Sequence, residues 1–219
     1  MIIGGHGKVA LLVAPLLVAN GYQVTSVIRN PDHAPEIEAT GARALVADVE
    51  RLSVEALSEL IAGQDALIWS AGAGGGDPAR TYAVDRDAAV RSVDAALAAG
   101  VKRYVMVSYY GAGKHHGVAE SNGFFSYAEA KSEADSYLRT TELGWTILRP
   151  SRLTLEEASG KIEATDEVDA APTGSRQVSR ANVAAAVAAV LETPATSGLT
   201  INFNDGNEPI LEALQRLTT

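Results

Sequence analysis

"GGHGKVA" (residues 4–10) follows the apolar trio Met1, Ile2 and Ile3 and opens an Ala/Leu-rich run that stops at Gly21. A strand, a glycine-rich turn and a helix in that order are the context that gives a short glycine pattern meaning. In such a turn Gly4 permits the tight bend, Gly7 lets a pyrophosphate approach the backbone, and Ala10 is small enough for helix and strand to pack closely. The helix N-terminus adds unpaired N–H groups and the positive end of its dipole. A glycine turn into a helix without any ligand is the other reading, and the stretch alone leaves both open. The preceding strand has three residues against a typical five or six or so, which predicts either residues upstream of Met1 or an unusually short strand.

Outward from this turn, β-branched runs alternate with Ala/Leu-rich ones. "MII", "YQVTSVI", "RALVAD", "DALIWSA", "RYVMVS", "WTILRP" and "LTINF" read as strands, with helix-like segments between most of them. That rhythm predicts an α/β fold: one domain over residues 1–219, a doubly wound, mostly parallel sheet with helices on both faces. The first helix is expected over residues 8–20, kinked by Pro15, whose missing N–H and ring oppose a helix interior. Later helices close on Gly100, on Gly144 and before Pro194. The least regular stretches are residues 73–78, 109–126 and 153–177. Loops that follow strands gather at the ligand-binding edge of such a sheet, so the substrate side is expected mainly in 109–126 and 151–178.

With 47% hydrophobic and 21% charged residues, the chain has the balance of an ordered globular protein. Its length suffices to bury roughly 70% of the unfolded surface. No apolar run reaches the roughly 18 residues that would span a bilayer, and no signal-peptide pattern opens the chain, so a soluble protein without a membrane partner is expected. The absence of cysteine excludes disulfides, thiolate metal sites and cysteine nucleophiles, and the cytoplasm is the simplest compartment. A formal charge of −9 argues against nucleic acid and requires a locally built site for any phosphate. Monomer and homodimer both remain open.

The second strand ends in a cation, Arg29, where an NAD-selective site usually carries a carboxylate; arginine there suits the 2′-phosphate of NADP, although a solvated strand-end residue is the alternative. Asp48, at the end of the third strand, could accept from an adenine amino group or simply start a loop.

Together "GGHGKVA", "VIRNP", "VADV", "VKRYVMVS", "YAEAK" and "TILRPSRL" resemble the atypical short-chain dehydrogenase/reductases, an NAD(P)-binding, epimerase-like and NmrA-like group that includes the biliverdin reductase B type. The likeness covers essentially the whole chain, down to "VSRANVAAAVAAVLETP" and "LTINF". It implies a Rossmann-like sheet in the order 3-2-1-4-5-6-7 with NADP, or NAD, across its carboxyl edge. By this resemblance Gly4 and Gly7, with the backbone around Lys8 and Val9, hold the pyrophosphate, and Gly5 and His6 of the same turn count among the cofactor-binding residues. Arg29 holds the 2′-phosphate, and Asp48 and Val49 the adenine. "SAGAG", beginning Ser70, Ala71, Gly72, passes beneath the ribose, while Pro150 and Ser151 sit near the nicotinamide, where family members often carry glycine in place of Ser151.

"YAEAK" sets Tyr127 and Lys131 four apart, on one face of a helix. A neighbouring ammonium favours phenolate and is expected to bring the phenol toward a working range. Lys131 would also reach the nicotinamide ribose, as its counterpart does in the family. Ser108 would donate a hydrogen bond to a substrate carbonyl while Tyr127 transfers the proton. Against this, "SYAE" reads as a capping box, Ser126 capping and Glu129 reaching back. The asparagine that completes the proton relay in better-known relatives has no counterpart in "RDAAVRSVDAALAAG", and some atypical members work without the tyrosine. His115 and His116 are adjacent, but no carboxylate lies at ligand spacing beside them, so no metal site is expected. The loop carrying Asn122, Phe124 and Phe125 reads either as a substrate-contacting lid or as plain surface.

Three functions follow. The first is an NADP-dependent oxidoreductase acting on a small carbonyl, an alcohol or a similar acceptor. The second is a dinucleotide-binding redox sensor without turnover. The third, an epimerase or dehydratase, has little room for a nucleotide sugar in the roughly 70 residues after Pro150.

Overall fold

The computed structural model describes residues 1–74, 76–170 and 174–219. Its first half runs β1 (Ile2–Ile3), α1 (Ala10–Ala19), β2 (Thr25–Ile28), α2 (Ala34–Ala39), β3 (Arg43–Val46), α3 (Val54–Ile61) and β4 (Ala66–Trp69). A continuous helical stretch follows: α4 (Pro78–Thr81), a π-helical segment Tyr82–Ala88, and α5 (Ala89–Ala98). The second half comprises β5 (Arg103–Val107), α6 (Phe125–Leu138), β6 (Gly144–Pro150), β7 (Arg152–Thr154), β8 (Lys161–Thr165), β9 (Gln177–Ser179), α7 (Arg180–Glu192), β10 (Leu199–Asp205), β11 (Glu208–Pro209) and α8 (Ile210–Leu217).

Among the described residues nine strands form one sheet in the order β11-β8-β10-β6-β5-β4-β1-β2-β3. From β3 through β10 every pairing is parallel, which is the expected 3-2-1-4-5-6-7 order; β8 and β11 extend it antiparallel. Successive residues of a strand face opposite sides of a sheet, and both sides are buried here. Ile2, Ile68, Val105, Leu148 and Ile201 pack beneath Val13 and Leu17 of α1 and Val183 and Val187 of α7. Ile3, Leu67, Trp69, Met106 and Ile147 pack on the other side against Leu57, Val93 and Leu138. Each such side chain contributes roughly 1.5–3 kcal/mol. The chain leaves β1 toward β2 on one side and resumes at β4 on the other, so the crevice above the carboxyl ends of β1 and β4 is the switch point where ligands bind.

Several local expectations change. The helix after the glycine turn begins at Ala10 instead of Lys8 and runs through Pro15, which lies on its exposed side. Helix α6 stops at Leu138, well short of Gly144, because Thr140 and Thr141 donate their hydroxyls to the carbonyls of Tyr137 and Leu138. Gly144 instead opens β6, where a methyl would fall 2.7 Å from the Lys102 carbonyl oxygen. The capping box does not form. The cap position is Phe124, without a side-chain bond, and Glu129 pairs with His116 at 2.6 Å. The stretch 153–177 holds β8 and lends residues to β7 and β9, which form a separate parallel pair; residues 171–173 of the expected substrate side lie outside the described residues.

Candidate active site

The turn after β1 is built for a backbone ligand. Gly4 has φ +83°, and a methyl on it would fall 2.5 Å from Ala71 Cα. Gly7 donates its N–H to the Gly4 carbonyl, while the N–H groups of Lys8 and Val9 have no acceptor among the described residues. Those two residues, with Gly7, Ser70, Ala71 and Gly72, line a cleft of about 710 Å³. Open amides at the start of α1 beside a glycine that admits close approach fit a pyrophosphate. Gly5, expected among the ligand contacts, is buried instead: its N–H goes to Val27 O, and a methyl there would meet Ser26 Cβ at 2.6 Å.

On the other side of Gly7 a second cleft of about 340 Å³ is lined by Gly4, His6, Arg29, His33, Val49, Ala73 and Arg80, among others. It suits the adenosine half. Glu50 lies 3.7 Å from Arg29 Nη1 and 3.5 Å from Arg80 Nε, and Arg80 also donates to Ala73 O at 2.7 Å. His6 stacks on His33 at 3.5 Å and pairs with Glu36 at 2.6 Å. Arg91 of α5 donates to the carbonyls of Glu50 and Leu52 and so clamps the turn that carries Val49. Asp48 does not line this cleft. Its carboxylate accepts from Glu50 N and lies 3.5 Å from Arg51, so it starts the turn.

At the other end of the larger cleft, Ser108, Tyr127 and Lys131 meet the glycine loop. Lys131 is 1% exposed, and its ammonium donates to Val107 O at 2.8 Å. The expected lowering of the Tyr127 phenol does not occur. Burial pushes its pKa up, and the carboxyls of Asp85 and Asp135 and the ionisable phenol of Tyr109 push it further, so Tyr127 is held as the neutral acid. Ser108 also differs from expectation: it donates its hydrogen inward, to Asp135 Oδ2 at 2.8 Å, leaving only lone pairs for a substrate.

Four residues here were not singled out in the sequence. Asp135 is fully buried on α6 and pairs with the equally buried Arg149 of β6 at 2.9 Å. Burial pushes its carboxyl up, against Arg149, Lys131 and Ser108, which pull it down. Asp85 lies in the π-helical segment, one residue before the helix in which a relay asparagine was sought. It lines the cleft, accepts from Ala73 N at 2.9 Å, and crowds any side chain at Gly72, where a methyl would be 3.0 Å from Oδ1. Its carboxyl is likewise raised by burial and lowered by Lys131. A π-turn commonly marks such a functional position. Arg80, which lines the smaller cleft, is the fourth.

Pro150 and Ser151 line an adjoining cavity of about 750 Å³ that shares the Ser108 and Tyr127 wall with the cleft. His116 is tied down by Glu129 and by Val118 N, at 3.0 Å, while His115 is exposed.

A parallel doubly wound sheet with a glycine loop at its switch point and a Tyr–Lys pair across the cleft defines a dinucleotide-binding protein of the atypical short-chain dehydrogenase/reductase type. The chain belongs to the NAD(P)H-binding family, whose model matches residues 4–194. It is 32% identical over 220 residues to the protein YMR090W of Saccharomyces cerevisiae, covering 99% of this chain and 97% of that one. It is 32% identical over 218 residues to the "uncharacterized sugar epimerase YhfK" of Bacillus subtilis, covering 99% and 98%. Among solved structures it is similar to the oxidoreductase ylbE from Lactococcus lactis, with TM-score 0.84 and 30% identity over 99% of this chain and 96% of that one.

Proposed function

We propose that the protein is an NADP-dependent oxidoreductase that moves a hydride between the nicotinamide and a carbonyl or alcohol carbon. The observation that carries this reading is the shared cleft: Tyr127, Lys131 and Ser108 line the same space as the glycine loop. The bound nicotinamide supplies the hydride. Tyr127, kept neutral by burial, supplies the proton to the carbonyl oxygen. Lys131 retains N–H donors beyond the one given to Val107 O, which suits ribose hydroxyls. Ser108 offers lone pairs, so polarisation of the carbonyl falls to Tyr127. Arg29, Arg80 and His33 around one small cleft support NADP over NAD.

The inward turn of the Ser108 hydroxyl favours a second reading, a dinucleotide-binding sensor without turnover. One experiment separates the two: NADPH oxidation with a panel of aldehydes, quinones and flavins, beside NADPH affinity by fluorescence. For the enzyme, Tyr127→Phe abolishes turnover and leaves the affinity within about twofold. A wild type that binds NADPH and turns over nothing in the panel supports the sensor.

A further inference from the structure

The cavity beyond Tyr127 has a composition of its own. Its volume of about 750 Å³ is that of a drug-sized ligand site, larger than a small aldehyde needs. Tyr109, Tyr110, Phe124 and Tyr127 supply its rings. Three of these pack as a cluster, Tyr109 on Phe124 at 5.3 Å, Phe124 on Tyr127 at 5.1 Å and Tyr109 on Tyr127 at 5.5 Å. Phe124 is nevertheless 44% exposed, so one ring of the cluster remains available for stacking.

Charge is distributed just as unevenly. The chain carries −9 overall, yet the residues that line this cavity include two exposed arginines, Arg152 and Arg176, and no acidic residue among those described; the carboxyls of Glu163 and Glu167 act on its wall from outside the lining, where they help raise the Tyr110 phenol. Arg152 gives one bond, to Gln177 Oε1 at 2.8 Å. Arg176 makes no hydrogen bond or ion pair to any described residue. It is also the one non-glycine residue described with a positive φ, +52°. A bulky residue held there carries backbone strain, and such strain gathers at ligand sites.

The geometry points to a planar aromatic carbonyl compound bearing a carboxylate as the substrate class. Its ring system would lie against Phe124 and Tyr109, its carboxylate between Arg152 and Arg176, and its carbonyl at the Tyr127 wall shared with the dinucleotide cleft. This rests on the oxidoreductase reading. In the reaction the carbonyl π bond breaks and a C–H bond forms with hydride from the dihydronicotinamide, which is oxidised. The oxygen takes the proton of Tyr127, and water replaces it.

The test compares 6-formyl-2-naphthoate with 2-naphthaldehyde as substrates with NADPH, and measures binding of the unreactive 2-naphthoate and 2-naphthalenemethanol by calorimetry on wild type, Arg176→Gln, Arg176→Gly and Arg152→Gln. The carboxylate is expected to raise kcat/KM by about tenfold or more over the neutral aldehyde, through KM. 2-Naphthoate should bind tighter than the alcohol and weaken with salt, and each variant should erase most of that difference. Arg176→Gly, which relieves the backbone, should behave like Arg176→Gln, because the charge is what binds. Equal binding of the two naphthalene probes, or a difference that survives all three variants, overturns the assignment. If both aldehydes are reduced equally, the substrate class fails and the oxidoreductase stands. If 2-naphthoate binds with arginine dependence but neither aldehyde reacts, the site stands and the oxidoreductase fails.

Discussion

Ser108 and Asp135 are joined inside the protein: the serine at the end of β5 donates to Asp135 Oδ2 at 2.8 Å, and the same oxygen accepts from Arg149 Nε at 2.9 Å. The wall of the cleft is thereby pinned to β5, α6 and β6 at once. Asp135 and Arg149 are both 0% exposed, so neither charge can turn to water.

Removing one partner of such a pair strands the other. Asp135→Asn is expected to cost about 3–5 kcal/mol in urea unfolding, since Arg149 keeps its charge. The double change Asp135→Leu with Arg149→Met should recover most of that loss. A single variant less than about 1 kcal/mol below wild type would mean that Asp135 is already protonated in the native protein, as burial alone would have it.

Gly4 and Gly7 separate folding from binding. Gly4→Ala combines φ +83° with a contact of 2.5 Å to the Ala71 backbone, so it should lower stability by roughly 1–2 kcal/mol for the backbone alone and by more for the clash. Gly7 lines the larger cleft, and a methyl on it would lie 3.1 Å from Gly4 O, a tight contact that a shift of a few tenths of an ångström relieves. Gly7→Ala should fold with a melting temperature near wild type and lose NADPH affinity by about tenfold or more. Equal affinity in Gly7→Ala and wild type would remove the pyrophosphate from this turn.

Much of this fold was legible in the sequence because its central parallel strands β1, β4 and β5 are largely apolar runs, buried on both sides. The edge additions were not. β7, β9 and β11 have only two or three residues, and their existence depends on pairing between distant segments. β8 did carry a signal: in "KIEAT" Ile162 and Ala164 point inward between outward Lys161 and Glu163. The site divides in the same way. Tyr127 and Lys131 are visible by helical spacing, and Asp135 continues it, one more turn along the same face. What spacing cannot show is that Arg149, 14 residues on, would meet that carboxylate, or that a π-turn would swing Asp85 into the cleft.

Glu50 sits between two arginines of the smaller cleft, 3.7 Å from Arg29 and 3.5 Å from Arg80. It therefore competes with any phosphate for both. Glu50→Gln should tighten NADPH several-fold at low salt and leave NADH nearly unchanged, whereas Arg29→Ala should weaken NADPH by about tenfold or more with little effect on NADH. Equal losses for both coenzymes in Arg29→Ala would show that this arginine does not read the 2′-phosphate.

The buried phenols fix how stability responds to alkali. Burial raises the pKa of Tyr104 and Tyr127, and that of Tyr109 to about 12, whereas phenols of the unfolded chain ionise near about 10. The folded state thus holds its protons longer. Their contribution is complete below pH about 10 and is lost as pH rises toward the folded values, at a limiting slope of about 1.4 kcal/mol per pH unit for each phenol. Tyr104 isolates one share. Ser92 gives its hydrogen to Ala89 O at 2.7 Å, so the Tyr104 hydroxyl donates to Ser92, also at 2.7 Å, and Tyr104→Phe strands no buried donor. That variant should cost about 1 kcal/mol at pH 7 and lose less than wild type between pH 10 and 11 in guanidinium unfolding. Parallel curves for the two proteins above pH 10 would mean that Tyr104 titrates alike in the folded and unfolded chains, against its complete burial.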